Sequence, residues 1–93
     1  MPVGLLTLEI YLPHAHSLKE KRAVLRKIRD RLRSRFNVAV AEMDHRDVWQ
    51  HATLGVVSIS DSQSLLDSVL RDVLRESEKI LGDDVAHHEI DFF

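Results

Sequence analysis

The chain has 93 residues, 44% of them hydrophobic and 30% charged, with no cysteine and a formal net charge of −2. That describes a single small globular domain spanning residues 1–93 with one modest core, and it excludes a disulfide framework, a thiolate metal site and a cysteine nucleophile. No apolar run approaches the ~20 residues a membrane span needs, and no basic segment opens the chain as it would a signal peptide, so a cytoplasmic protein without membrane partners is expected.

In chain order, residues 3 to 12 alternate, with Leu6, Leu8, Ile10 and Leu12 on one parity and Thr7, Glu9 and Tyr11 on the other. This is a strand with one buried face, ended by Pro13. Ser17 and Glu20 have the spacing of a capping box. Behind them Leu18, Leu25, Ile28, Leu32 and Phe36 recur at helical spacing, which predicts an amphipathic helix of about five turns, closed by Asn37 in the left-handed conformation. Val38 to Met43 and Thr53 to Ser60 read as strands. Ser60 with Gln63 offers a second capping box and Asp61 a rival cap. The apolar positions Leu66, Val69, Leu70, Val73, Leu74, Ile80 and Leu81 then mark a second helix, stopped by Gly82. Val85 to Phe93 returns to strand.

The order βαββαβ contains two interleaved right-handed βαβ units. It predicts a ferredoxin-like α+β sandwich: a four-stranded antiparallel sheet in the order 4-1-3-2, with both helices on one face. On the open face Glu9, Tyr11, His87, Glu89 and Asp91 make an acidic half. That excludes RNA binding of the kind that stacks bases on aromatic residues of the central strands. Val3 and Leu5 begin a more apolar half, which points to a homodimer through the sheet or to scattered exposed apolar residues of the ordinary kind.

The charge is divided sharply along the chain. Ser17 to Phe36 holds nine Lys/Arg against two Asp/Glu, net +7, and the remainder is net −9. Arg22, Arg26, Arg29 and Arg33 fall in one stripe along the edge of the apolar face of the first helix, extended by Lys19. Lys27, Arg31 and Arg35 form a second, and Lys21 falls inside the apolar arc, from which it must turn away or sit at the rim. With only Glu20 and Asp30 available for pairing within the helix, the cations require either the acidic second helix (Asp67, Asp72, Glu76, Glu78) or an external polyanion.

The stretch MDHRDVWQHA, residues 43 to 52, lies between two strands as a long hairpin connection. Asp44 and Asp47 suit a turn, and Trp49 suits an anchor that folds back onto the loop. Asp44, His45, Asp47 and His51, like the pairs His14/His16 and His87/His88, lack the spacing of a recognised metal motif. No metal site, cofactor or catalytic residue is therefore expected. The glycine-rich phosphate loop of an acylphosphatase is also missing, and the chain reads as no enzyme.

Three blocks, SLKEKR at 17 to 22, RLRSRFNVAVAEMD and DVWQHATLGV, in this order, resemble the YlxP family of small bacterial proteins over nearly the whole chain. The resemblance implies the same α/β sandwich. It also implies a setting among translation and ribosome-maturation genes, and it carries over no site residues. The expected function is that of an accessory protein binding RNA or a ribosomal particle through Lys19, Arg22, Arg26, Arg29 and Arg33, aided by Arg46 and Trp49. The alternative is a dimeric ligand-binding or regulatory module that uses the open sheet face without catalysis.

Overall fold

The computed structural model describes residues 2–93. The elements are β1 (Val3–Tyr11), α1 (Leu18–Arg35), β2 (Ala39–Asp44), β3 (His51–Ile59), α2 (Gln63–Leu81), a 3-10 turn at Gly82–Asp84, and β4 (Val85–Phe92). The strands form one antiparallel sheet in the order β2-β3-β1-β4, the expected order counted from the opposite edge. In β1 every second side chain is buried: Leu6, Leu8 and Ile10 lie opposite Val56, Leu54 and Ala52 of β3, all buried as well. Leu25, Ile28 and Leu32 of α1 and Leu66, Leu70, Val73 and Leu74 of α2 close over this face, as the two hydrophobic periods require. At ~1.5–3 kcal/mol for each fully buried aliphatic side chain, this layer dominates the favourable side of folding.

The caps were only partly legible. Ser17 does cap α1, its hydroxyl accepting from the Glu20 N–H at 3.1 Å, but the Glu20 carboxylate accepts from the His16 N–H at 2.8 Å, one residue upstream of the serine. For α2 the cap is Ser62, accepting from the Leu65 N–H, in place of Ser60 or Asp61. The Ser60 hydroxyl instead accepts from the Ser62 N–H and so shapes the approach to the cap. Asn37 does not end α1 in the left-handed region, because Phe36 already turns the chain to extended backbone at φ −134°. Gly82, at φ 59°, does end α2.

One glycine sets how near α2 lies to the sheet. A Cβ built on Gly4 would sit 2.7 Å from Leu70 Cδ1 and 3.0 Å from Leu66 Cγ, so these leucine side chains, or the helix that carries them, would have to shift. Gly4→Ala is expected to lower stability by about 1–3 kcal/mol, the cost of overpacking, as read from the denaturant midpoint. An unchanged midpoint would show that the Leu70 and Leu66 side chains make room without cost.

The helices are joined by charge as well as by apolar contact. Glu76 of α2 accepts from Arg31 Nε at 3.0 Å and from Arg35 Nη1 at 3.1 Å. The second cationic stripe of α1 is thus partly answered within the fold. The bonded Arg31 guanidinium holds the Glu76 carboxyl below its ordinary value; desolvation opposes this, and the charges of Arg35 and Lys79 assist it. A depressed carboxyl stabilises the fold above its unfolded value of 4.5, and that contribution is lost as pH falls through the lower folded value. Glu76→Gln is therefore expected to lose part of the stability seen at neutral pH and to flatten the acid limb of melting temperature against pH. An acid limb identical to that of the parent would refute the assignment.

Candidate functional site

With Arg31 and Arg35 turned toward α2, the other stripe of α1 is left over edge strand β2. Arg22, Arg26 and Arg29 line a cleft of about 420 Å³ between helix and strand, together with Leu25, Val40, Ala41, Glu42 and Leu54. Arg46 reaches the same cleft from the hairpin. Among the described residues, Arg29 touches only its neighbour Asp30, at 3.3 Å on the surface, and no carboxylate pairs with Lys19, Arg22, Arg26, Arg33 or Arg46. The fold thus gathers Arg22, Arg26, Arg29 and Arg46 into one concavity. Lys19 and Arg33 are exposed at either end of the row, outside the cleft. From Arg22 to Arg33 the row spans roughly 16 Å at ~1.5 Å per residue.

The one carboxylate in the cleft is already engaged. Lys21, expected to turn away from the core or sit at its rim, is fully buried and runs beneath the hairpin. Its ammonium donates to the carbonyls of His45 (2.6 Å), Arg46 (3.3 Å) and His51 (3.2 Å), which uses its three N–H groups. Glu42 Oε2 lies 2.8 Å from the same nitrogen and, though buried, makes no hydrogen bond. Its pairing is one of charge alone. The negative charge of Glu42 is thereby offset from behind, leaving the four guanidinium groups to set the potential of the cleft.

The hairpin, residues 45–50, is held differently from the way its sequence suggests. Trp49 is 51% exposed and does not serve as the anchor. Lys21 holds one side. Gln50 holds the other, its amide donating to the carbonyls of Pro13 and Ala15 and its own carbonyl accepting from Leu12 N at 2.9 Å. The exposed indole does not line the cleft.

On the open sheet face, at the same end, a second group forms. His51 Nε2 is 2.7 Å from Glu9 Oε2. The Thr53 hydroxyl donates to Glu9 and lies 3.1 Å from His45 Nδ1. The rings of Tyr11, His51 and His45 stack in that order, with centroid separations of 4.3 and 3.8 Å. His45 is the only non-glycine residue with positive φ (62°) among those described, a conformation that costs on the order of 1–3 kcal/mol and persists only where its surroundings enforce it. Here they do: its carbonyl is held by Lys21, its N–H by Asp44 Oδ1 at 2.8 Å, and the β2–β3 register shifts just before it, between Glu42 and Asp44. Set aside in the sequence for lacking the spacing of a metal motif, His45 and His51 are brought together by this irregularity, with a glutamate from β1 that no local spacing connects to them. The pairs His14/His16 and His87/His88 do not join them.

A family model described as "Protein of unknown function (DUF503)" matches residues 3–90. The chain is similar to the Bacillus subtilis (strain 168) protein described as "Uncharacterized protein YlxP", 38% identical over 72 residues, which cover 77% of this chain and 78% of that one. This agrees with the resemblance carried by the three sequence blocks. Among solved structures, the chain is similar to the de novo designed protein Foldit4 (TM-score 0.55, 14% identity, 99% of this chain and 94% of that one). It is also similar to a de novo design with ferredoxin fold, LFR1 1 (TM-score 0.56, 12% identity, 100% and 83%). At such identities these two likenesses speak for the ferredoxin-like fold alone.

Proposed function

The chain belongs to the DUF503 family, described as proteins of unknown function, and from that premise we propose that it is a non-catalytic accessory protein of the cytoplasm that binds RNA, free or within a ribosomal particle, along the cleft between α1 and β2. One observation carries this reading: Arg22, Arg26, Arg29 and Arg46 share a concavity whose only carboxylate is already offset by a buried lysine. Planar, weakly hydrated guanidinium groups suit phosphate oxygens. The acidic half of the open face, with Glu9, Glu89 and Asp91, repels a polyanion and so favours approach from the cleft side. The exposed Trp49 indole, on the same hairpin as Arg46, is available for stacking on an unpaired base.

Four phosphate contacts imply a slope of log affinity against log salt of about −3, each contributing ~0.7–0.9. Between roughly 50 and 200 mM salt, affinity for ribosomal RNA should fall about 50- to 150-fold. Fluorescence anisotropy with labelled RNA measures this directly, and RNA binding that is absent or insensitive to salt would refute the reading. A second reading, a dimer through the sheet, is favoured by the exposed Met43 and Ile59 beside Val3, Leu5 and Val57 on the open face. It predicts self-association almost indifferent to salt.

A further inference from the structure

The Glu9, His45 and His51 group lies on the opposite side of the sheet from the cleft and takes no part in the function proposed above. Each of the three offers one ligand atom, and these atoms all lie within 4.8 Å of one another. We propose that they form a binding site for one first-row divalent transition metal ion, with zinc as the representative case. A four-coordinate ion with donors at ~2.0–2.1 Å holds those donors about 3.3 Å apart. His51 Nε2 and Glu9 Oε2 are already 2.7 Å apart, and the ligand atom of His45 lies within 4.8 Å of both, so rotation of the stacked His45 and His51 rings that turns their ring nitrogens toward a common point would complete the site. Two imidazoles and one carboxylate suit zinc and its neighbours better than magnesium or calcium, which prefer oxygen alone.

Two features mark the group as built. Thr53, itself buried, donates to Glu9 and contacts His45 Nδ1, holding two of the three ligands in the manner of the outer partners that orient metal-binding side chains. The His45 carbonyl is held by the fully buried Lys21, and the His45 ring lies stacked over His51. The ion takes the place of the proton between His51 Nε2 and Glu9. A neutral His51 moves that proton to Nδ1 through solvent, and an imidazolium keeps the proton on Nδ1 and releases the one on Nε2 to solvent. Three protein ligands leave the fourth position open to water or another small ligand.

The test uses the full chain and zinc alone. Titration with Zn²⁺, followed by long-range ¹H–¹⁵N spectra of the imidazoles, should shift the ring nitrogens of His45 and His51 with a one-to-one end point. The rings of His14, His16, His87 and His88 should stay in place. Calorimetry should show binding weakened more than tenfold in Glu9→Gln and in His45→Asn, and unchanged in the His87→Asn/His88→Asn control. Absence of one-to-one binding below millimolar zinc, or shifts confined to the other four histidines, overturns the site. Because the spectra are read on the parent protein, they decide the matter even where a variant fails to fold.

Discussion

Replacing Arg22, Arg26, Arg29 and Arg33 together with glutamine should abolish most salt-sensitive RNA binding while leaving the fold intact. Each lost phosphate contact lowers the magnitude of the salt slope by about one unit and weakens all RNA sequences alike. With Arg46 alone remaining in the cleft, the slope should fall from about −3 to about −1. Stability should change by less than about 1 kcal/mol, because glutamine and arginine have similar helix propensities and these side chains have no structural partner beyond Asp30. If the arginines instead served the fold, the parent would show no RNA affinity and the variant would melt lower. Anisotropy across salt, with thermal melts of the same samples, separates these outcomes. Lys27, Arg31 and Arg35, on the opposite flank of α1, provide the control: Arg31→Gln should cost stability through Glu76 and spare RNA binding.

Lys21→Met should be strongly destabilising, at about 3–5 kcal/mol, the cost of breaking a buried ion pair from one side. Methionine fills a similar volume but donates nothing. Three carbonyls then lose their donor, and Glu42 keeps a buried oxygen with no cation beside it. Against a total stability of ~5–15 kcal/mol for a domain of this kind, such a loss brings the protein close to unfolding at ordinary temperature. Adding Glu42→Gln should recover part of the loss, since the stranded charge is gone while the carbonyls remain unpaired. A double-mutant cycle by urea denaturation measures the two components. Equal midpoints for the parent and Lys21→Met would remove the lysine from its place beneath the hairpin.

The fold was largely legible because both helices and the inner strands carry strong single-period patterns, and every strand pair follows from the order of elements. What escaped was set by contacts distant in sequence. Ser62 displaced Ser60 and Asp61 as a cap because three adjacent polar residues all satisfy the same local rule, and the entry angle from β3 decides among them. Lys21 looked misplaced on an apolar arc, since a helical wheel cannot show that three free carbonyls lie 24 to 30 residues further along. Conversely Trp49, the residue whose size most suggests an anchor, is exposed because Lys21 and Gln50 already hold the loop. The arginine stripe was readable from the wheel alone; that Arg46 joins it, and that Lys19 and Arg33 lie beyond the cleft, depends on where the hairpin bends.

A hairpin whose tip is tied to a helix cannot mature as a local unit. The β2–β3 turn is long, lacks the Asn-Gly or Asp-Gly pair that closes a tight hairpin unaided, and carries a left-handed histidine held from within the turn by the Asp44 carboxylate on its N–H and the Val48 N–H on its carbonyl. Its final geometry must wait for the N-terminal end of α1 to dock and deliver the ammonium. Amide exchange at residues 45–50 should therefore follow the opening of that helix end and not the separation of β2 from β3. In refolding, mutations near Lys21 and in the hairpin tip should act late, speeding unfolding more than they slow folding.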